Sequence, residues 1–230
     1  MPSDDKLERI IATRLALKKR FEAKMAASPS VADDRPEGEG APNRHGMPKL
    51  PVGQTETKKW PVLDLGVTPN VSTEKWTLTV DGACEHPIVL GFDDFLGLPQ
   101  IEDQSDFHCV TTWSRMDMHW IGVRLADVLA LSTPHADAGF LMCHGYDGYQ
   151  TNLSLEEALK PDVLLVHRAN GAPLPTEHGG PVRVITPQLY AWKGAKWVSR
   201  LELMKENRPG FWEVRGYSNT AYPWRNDRYG

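Results

Sequence analysis

Near the start of the chain, Leu7, Ile10, Ile11, Leu15 and Leu17 fall at roughly helical spacing, with charges of both signs on the remaining positions. That pattern predicts an amphipathic helix over residues 5–27. The pattern then stops. Residues 28–53, SPSVADDRPEGEGAPNRHGMPKLPVG, are dense in Pro, Gly and charge. Such a segment buries too little apolar surface to offset its ordering entropy, so a linker is expected. A compact body is expected from Trp60, dividing the chain into 1–59 and 60–230.

Within the body the patterns are short and mixed. WTLTVDG, ending at Gly82, alternates like a strand running into an Asp-Gly turn, and FDDFLGL before Pro99 predicts a short helix. RLADVLAL predicts a helix, FLMCHG a strand, SLEEAL a helix capped by Ser154 with Glu157 closing a capping box, and DVLLVHR a strand. VRVIT and KWVSRLEL complete the strands. Strands and long crossover helices do not alternate regularly and no internal repeat is present, so a mixed-sheet α+β fold is expected rather than a doubly wound parallel sheet. No GxGxxG or Walker-type loop is present, which removes the usual nucleotide signatures.

Composition narrows the classes. The 230 residues are 40% hydrophobic, enough for one large core, and a formal charge of −4 provides no general field for nucleic acid. No apolar run approaches the roughly 20 residues of a membrane span, and no export leader or twin-arginine signal is visible, so a cytoplasmic protein is expected. The cysteines Cys84, Cys109 and Cys143 are odd in number and form no CxxC pair, which argues against a disulfide framework and a structural zinc site.

Two segments carry candidate chemistry. In DFHCVTTWSRMDMHW, Cys109 is flanked by His108, Arg115 and His119 and by Trp113 and Trp120. A free cysteine is most often a small buried hydrophobe, whereas neighbouring cations favour the thiolate that a metal centre needs, so both readings stand. Downstream, His178, Arg183, Lys193, Lys196 and Arg200 are interleaved with Gly and Pro, either as an anion cradle or as a solvated basic rim. His45, His86, His135, His144 and His167 show no metal-ligand spacing.

Taken together, HCVTTWS, DGYQTNL, PLPTEHGGPVRVITP and AWKGAKWV resemble the molybdopterin-binding domain of the sulfite oxidase superfamily, in particular its short bacterial members. The resemblance runs from about Pro61 to the C-terminus, including RPGFWEVRGYSNTAYPW, and leaves the N-terminal helix outside. It implies a sulfite oxidase-type mixed-sheet fold and a molybdenum–molybdopterin cofactor with Cys109 as the protein ligand to the metal. His178, Arg183, Lys193 and Lys196 are implied as cations for the pterin phosphate. Asp147, Tyr149 and Asn152 are implied as pterin contacts, and His108, beside the ligand, as another. Arg115 and Tyr217 stand nearest the family's substrate-binding positions.

The implied activity is two-electron, oxo-transfer-type chemistry on a small oxo-compound such as sulfite, a sulfoxide or an N-oxide, as oxidase or reductase. No haem domain is evident, so a separate electron-transfer partner is implied; the N-terminal helix either docks it or packs on its own body or a second subunit. The chain departs from the family at Gly194, where a serine is common, and at Ser218 and Tyr222, where short members often carry His and Asp. Those departures leave a non-catalytic cofactor-binding or interaction module as the competing reading, and a metal-free thiol enzyme as a third.

Overall fold

A computed structural model describes residues 4–27 and 35–230. The expected strands and helices form, and two mixed sheets carry the body. The five-stranded sheet has the order β5 (Ile88–Gly91), β4 (Thr77–Gly82), β13 (Val198–Met204), β8 (Phe140–Gly145), β9 (Gln150–Ser154), with β13 parallel to β4 and the other neighbours antiparallel. In the other sheet, β11 (Ala172–Pro173), β10 (Leu164–Ala169), β7 (Trp113–Arg124) and β3 (Thr55–Glu56) lie side by side. There β12 (Arg183–Ile185) also pairs with β10, and β6 (Ile101–Cys109) with β7.

The two sheets share a core, and side-chain alternation decides what faces it. On β4, Leu78 and Val80 are buried while Thr77 is exposed. They pack with Leu141 and Cys143 of β8, Leu201 of β13, Phe95 of α2 (Phe92–Gly97), and Leu125 and Leu129 of α3 (Leu125–Ala130). Strand β10 is covered on both faces, Leu165 in this core and Leu164 and Val166 in a second cluster with Met118, Trp120 and Ile185, which is why LLV reads as an unbroken apolar run. All three cysteines are buried and unpaired.

At α4 (Leu155–Ala158) half of the expected capping box forms. Ser154 Oγ accepts from the Glu157 amide at 3.2 Å, but the Glu157 carboxylate is taken by Lys160 at 2.7 Å and by the Tyr222 hydroxyl.

The expected linker is largely something else. Residues 28–34 lie outside the described residues, but β1 (Gly38–Pro42) and β2 (Pro48–Pro51) form an antiparallel pair. Every residue of β1 is exposed, as the composition required. Polar ties hold it instead: Trp224 Nε1 donates to Pro48 O at 2.5 Å, Arg44 grips Asp103 at 2.5 and 3.0 Å, and His45 meets Asp162 at 3.2 Å.

Helix α1 (Asp4–Ala27) packs on its own body. Lys6 Nζ donates to Gly66 O at 2.6 Å, Lys18 Nζ to Gly216 O at 2.9 Å, and the Phe21 ring meets that of Tyr229 at 5.3 Å. The part-buried positions run through Leu7, Ile10, Ile11, Arg14, Leu15, Lys18 and Phe21, so the expected apolar face turns inward except at Leu17, which is exposed, and two cations share it. Among the described residues no helix is long and apolar enough to cross a membrane.

Candidate active site

Strands β6 and β7 form a long hairpin whose tip sets the cysteine. Cys109 is the last residue of β6 and pairs with Trp113 across the turn; Thr112 closes the turn in a left-handed conformation (φ +73°), its amide donating to Cys109 O at 3.1 Å. Cys109 Sγ lies 3.1 Å from Thr111 Oγ1. Burial raises the thiol pKa, opposed by the Thr111 hydrogen bonds and by the charges of Arg14 and Arg228.

Opposite stands the segment around β12. Gly179 holds a positive φ (+109°), and a Cβ there would meet the Arg183 and Lys196 side chains at 3.0 Å, so glycine lets these two basic residues converge. Arg183 is braced by His178 O at 3.0 Å and Gly194 O at 3.3 Å, and Lys196 Nζ by Glu177 O at 2.8 Å. Burial lowers the pKa of Arg183 to about 10. Lys196 falls to about 8 through burial and the charge of Arg183, and His178 to about 4 for the same two reasons. Three basic groups that burial pushes toward neutrality, two of them also repelled by Arg183, converge on a place suited to an anion.

These walls border one open cavity, about 830 Å³ including its mouth, lined by Cys109, Asp147, Tyr149, His178, Arg183, Lys196 and Tyr217 together with Trp60, Asp64, Thr111, Gly194 and others. Asp147 Oδ1 caps the Tyr149 amide at 3.0 Å, and the Tyr149 hydroxyl donates to Trp192 O at 2.6 Å, so both shape the wall. Tyr217 is boxed by Trp192, Trp212 and Tyr229 with ring centres 5.0–5.2 Å away, and burial holds its phenol well above the ordinary range. Gly194 is explained by space: a Cβ there would lie 2.5 Å from Val184 O, so this backbone excludes the serine common in the family.

Other expected site residues stand elsewhere. Lys193 is buried against Glu213 at 2.7 Å and donates to Asn152 O and Oδ1, while Asn152 Nδ2 donates to Asn207 and Asn219; neither lines the cavity. Arg115 stays outside, its guanidinium 5.7 Å from the Trp60 ring, which stacks on His178 at 3.7 Å. Ser218 Oγ accepts from the Thr220 and Ala221 amides, and neither it nor Tyr222 lines the cavity.

His108 also lies off the main cavity, lining a smaller neighbour of about 250 Å³. Its Nδ1 is 2.8 Å from Ser114 Oγ, which donates its own proton to Gln54 Oε1 at 3.1 Å, so Nδ1 carries the hydrogen. Nε2 is buried without a partner, and burial lowers the pKa to about 3. The unfolded chain therefore binds one more proton than the folded one between about pH 6.5 and 3. This contribution to stability is complete above pH 6.5 and is lost as pH falls, at no more than about 1.4 kcal/mol per pH unit. In urea melts across that window, His108→Gln is expected to show a shallower acid slope than the wild type; an unchanged slope overturns the assignment.

Pattern reading missed Trp60, placed at the assumed boundary, and Arg14. The signal for Arg14 was a cation three and four residues beyond Ile11 and Ile10, on a stripe otherwise apolar.

The cavity's donor set fits molybdopterin. Among the described residues no group of three or more His, Cys, Asp or Glu is gathered as a metal site, so a metal at the lone Cys109 thiol needs ligands from a cofactor, and the basic wall suits a phosphate. Residues 65–212 match the oxidoreductase molybdopterin-binding domain, and the chain belongs to this family, within the sulfite oxidase superfamily. It is a molybdopterin-dependent oxidoreductase. The uncharacterized oxidoreductase YuiH of Bacillus subtilis is 42% identical over 79% of this chain and 92% of its own length. The protein-methionine-sulfoxide reductase catalytic subunit MsrP of Campylobacter jejuni is 27% identical over 69% of this chain and 58% of its own. The sulfane dehydrogenase SoxCD of Paracoccus pantotrophus shares the fold at a TM-score of 0.57 and 24% identity, covering 61% of this chain and 41% of that one.

Proposed function

We propose that this oxidoreductase carries molybdenum–molybdopterin in the 830 Å³ cavity and performs two-electron, oxo-transfer-type chemistry on a small oxo-compound. The observation that carries this reading is the placement of one buried thiol and a three-member basic wall around a single cavity. When bound, the cofactor supplies the two-electron exchange at its metal. Cys109 would be the protein ligand, with Thr111 orienting its sulfur. His178, Arg183 and Lys196 would hold the phosphate end, its charge restoring the protonation that burial disfavours. Tyr217 keeps its proton across the physiological range and offers a hydroxyl to substrate, while Trp60, Trp192 and Trp212 limit water. MsrP, by its name a sulfoxide reductase and a catalytic subunit, supports an oxo-substrate and a separate electron-transfer partner.

The test is cofactor content after expression in a host that makes molybdopterin, read as molybdenum by elemental analysis and as the fluorescent oxidised pterin. Wild-type protein is expected to hold about one equivalent of each. Lys196→Gln and His178→Ala each remove a hydrogen-bonding group facing a charged phosphate, worth roughly 1.5–3 kcal/mol, so retention should weaken by about ten- to a hundredfold. Wild-type protein that is folded yet free of both metal and pterin overturns the proposal.

A further inference from the structure

Helix α1 is tied to the body near one end where Lys6 reaches Gly66 O and toward the other where Lys18 reaches Gly216 O, next to Tyr217. Its body-facing stripe carries cations at Arg14, between these ties, and at Lys18. A helix that only packed on the body would bring apolar side chains to those positions, because a partly buried cation without a partner forfeits hydration. Lys18 is accounted for: besides Gly216 O, it lies 3.5 Å from a Glu22 oxygen and 5.8 Å from the Tyr229 ring centre.

Arg14 is not accounted for in this way. It makes no hydrogen bond or ion pair with any described residue, and its side chain forms part of the wall of the cavity that contains Cys109 and Tyr217. Its charge acts on the Cys109 thiol and on the Tyr217 and Tyr229 phenols, favouring the ionised form of each against burial. The other cations of the cavity are engaged with carbonyls of the opposite wall, Arg183 with His178 O and Gly194 O, Lys196 with Glu177 O. Arg115 stays outside. A free guanidinium offers a planar fork of donors matched to two oxygens of one anion.

We infer that Arg14 is a specificity-determining residue of this enzyme: its guanidinium holds the anionic group of a small oxo-substrate on the Cys109 side of the cavity. Helix α1, outside the matched domain of residues 65–212, thereby completes the substrate site and favours anionic over neutral oxo-compounds. This rests on the reading of the cavity as the molybdenum site.

The test compares full-length wild type, Arg14→Gln and Arg14→Lys, each prepared with cofactor. Binding of sulfate, an unreactive oxyanion, is followed by tryptophan fluorescence at constant ionic strength, since Trp60, Trp113, Trp192 and Trp212 line the cavity. Arg14→Gln should weaken sulfate binding about tenfold or more, and Arg14→Lys should recover part of it, which separates charge from packing. In dye-linked turnover, Arg14→Gln should raise KM for sulfite by a similar factor with kcat little changed, and leave KM for dimethyl sulfoxide unaltered. Wild-type sulfate affinity in Arg14→Gln, or an equal rise in KM for both substrates, overturns the inference. Should the wild type hold no molybdenum, the cavity reading fails and the inference with it; molybdenum-loaded wild type and Arg14→Gln with equal sulfate affinity overturn the inference alone.

Discussion

Cys109→Ser is expected to abolish turnover while leaving the fold intact. Serine keeps the size of the side chain at a position only 5% exposed, and Thr111, now 3.1 Å from the sulfur, can hydrogen-bond the new hydroxyl. A thermal midpoint within a few degrees of wild type should follow. What serine cannot supply is a soft thiolate donor to the metal. The expected drop in turnover is at least about a thousandfold, roughly 4 kcal/mol of lost transition-state stabilisation. Molybdenum content and dye-linked turnover, measured on the same preparation, provide the check. Full turnover with metal retained would show that Cys109 is not the ligand.

The largest effect on stability is expected at Lys193 and Glu213. Their charged atoms are 2.7 Å apart with both side chains completely shielded from solvent. The same Glu213 oxygen accepts from Thr151 Oγ1 at 3.1 Å and Trp192 Nε1 at 3.0 Å, and Lys193 Nζ donates to Asn152 O and Oδ1 at 3.0 and 3.1 Å. Lys193→Met therefore leaves a carboxylate buried without its counter-charge, at a cost of about 3–5 kcal/mol. Adding Glu213→Gln removes the stranded charge and should recover much of that loss. Urea denaturation of the two single variants and the double variant measures the coupling. A loss below about 1 kcal/mol in Lys193→Met would show that the pair contributes little. Pterin content per folded molecule should be unchanged in this series, because Lys193 faces Asn152 and Glu213 instead of the cavity.

These two residues show where sequence reading succeeds and where it stops. Cys109 and Lys193 both lie in segments that resemble the family, and both were expected to touch the cofactor. The resemblance singles out Cys109, whereas the hairpin of β6 and β7 that carries its thiol is seen only in the structure. Lys193 depends on Glu213, twenty positions away, and no local pattern pairs them. Gly194 is similar: the missing serine looked like a functional departure until Val184 O was found to fill the space.

By itself the sequence determined the local elements, because apolar period, Ser154 at a cap and Asp-Gly at a turn act over a few residues. It also determined the family, through several ordered motifs. The tertiary structure alone decided which side chains share the cavity. It turned Lys193 and Asn152 into the core, kept Arg115 outside, held an exposed hairpin by polar ties where a linker was expected, and brought Arg14 to the wall beside Cys109. The physical reason is that convergence at a site is set by packing and charge pairing between residues far apart in the chain, which the spacing of residues along one segment does not encode.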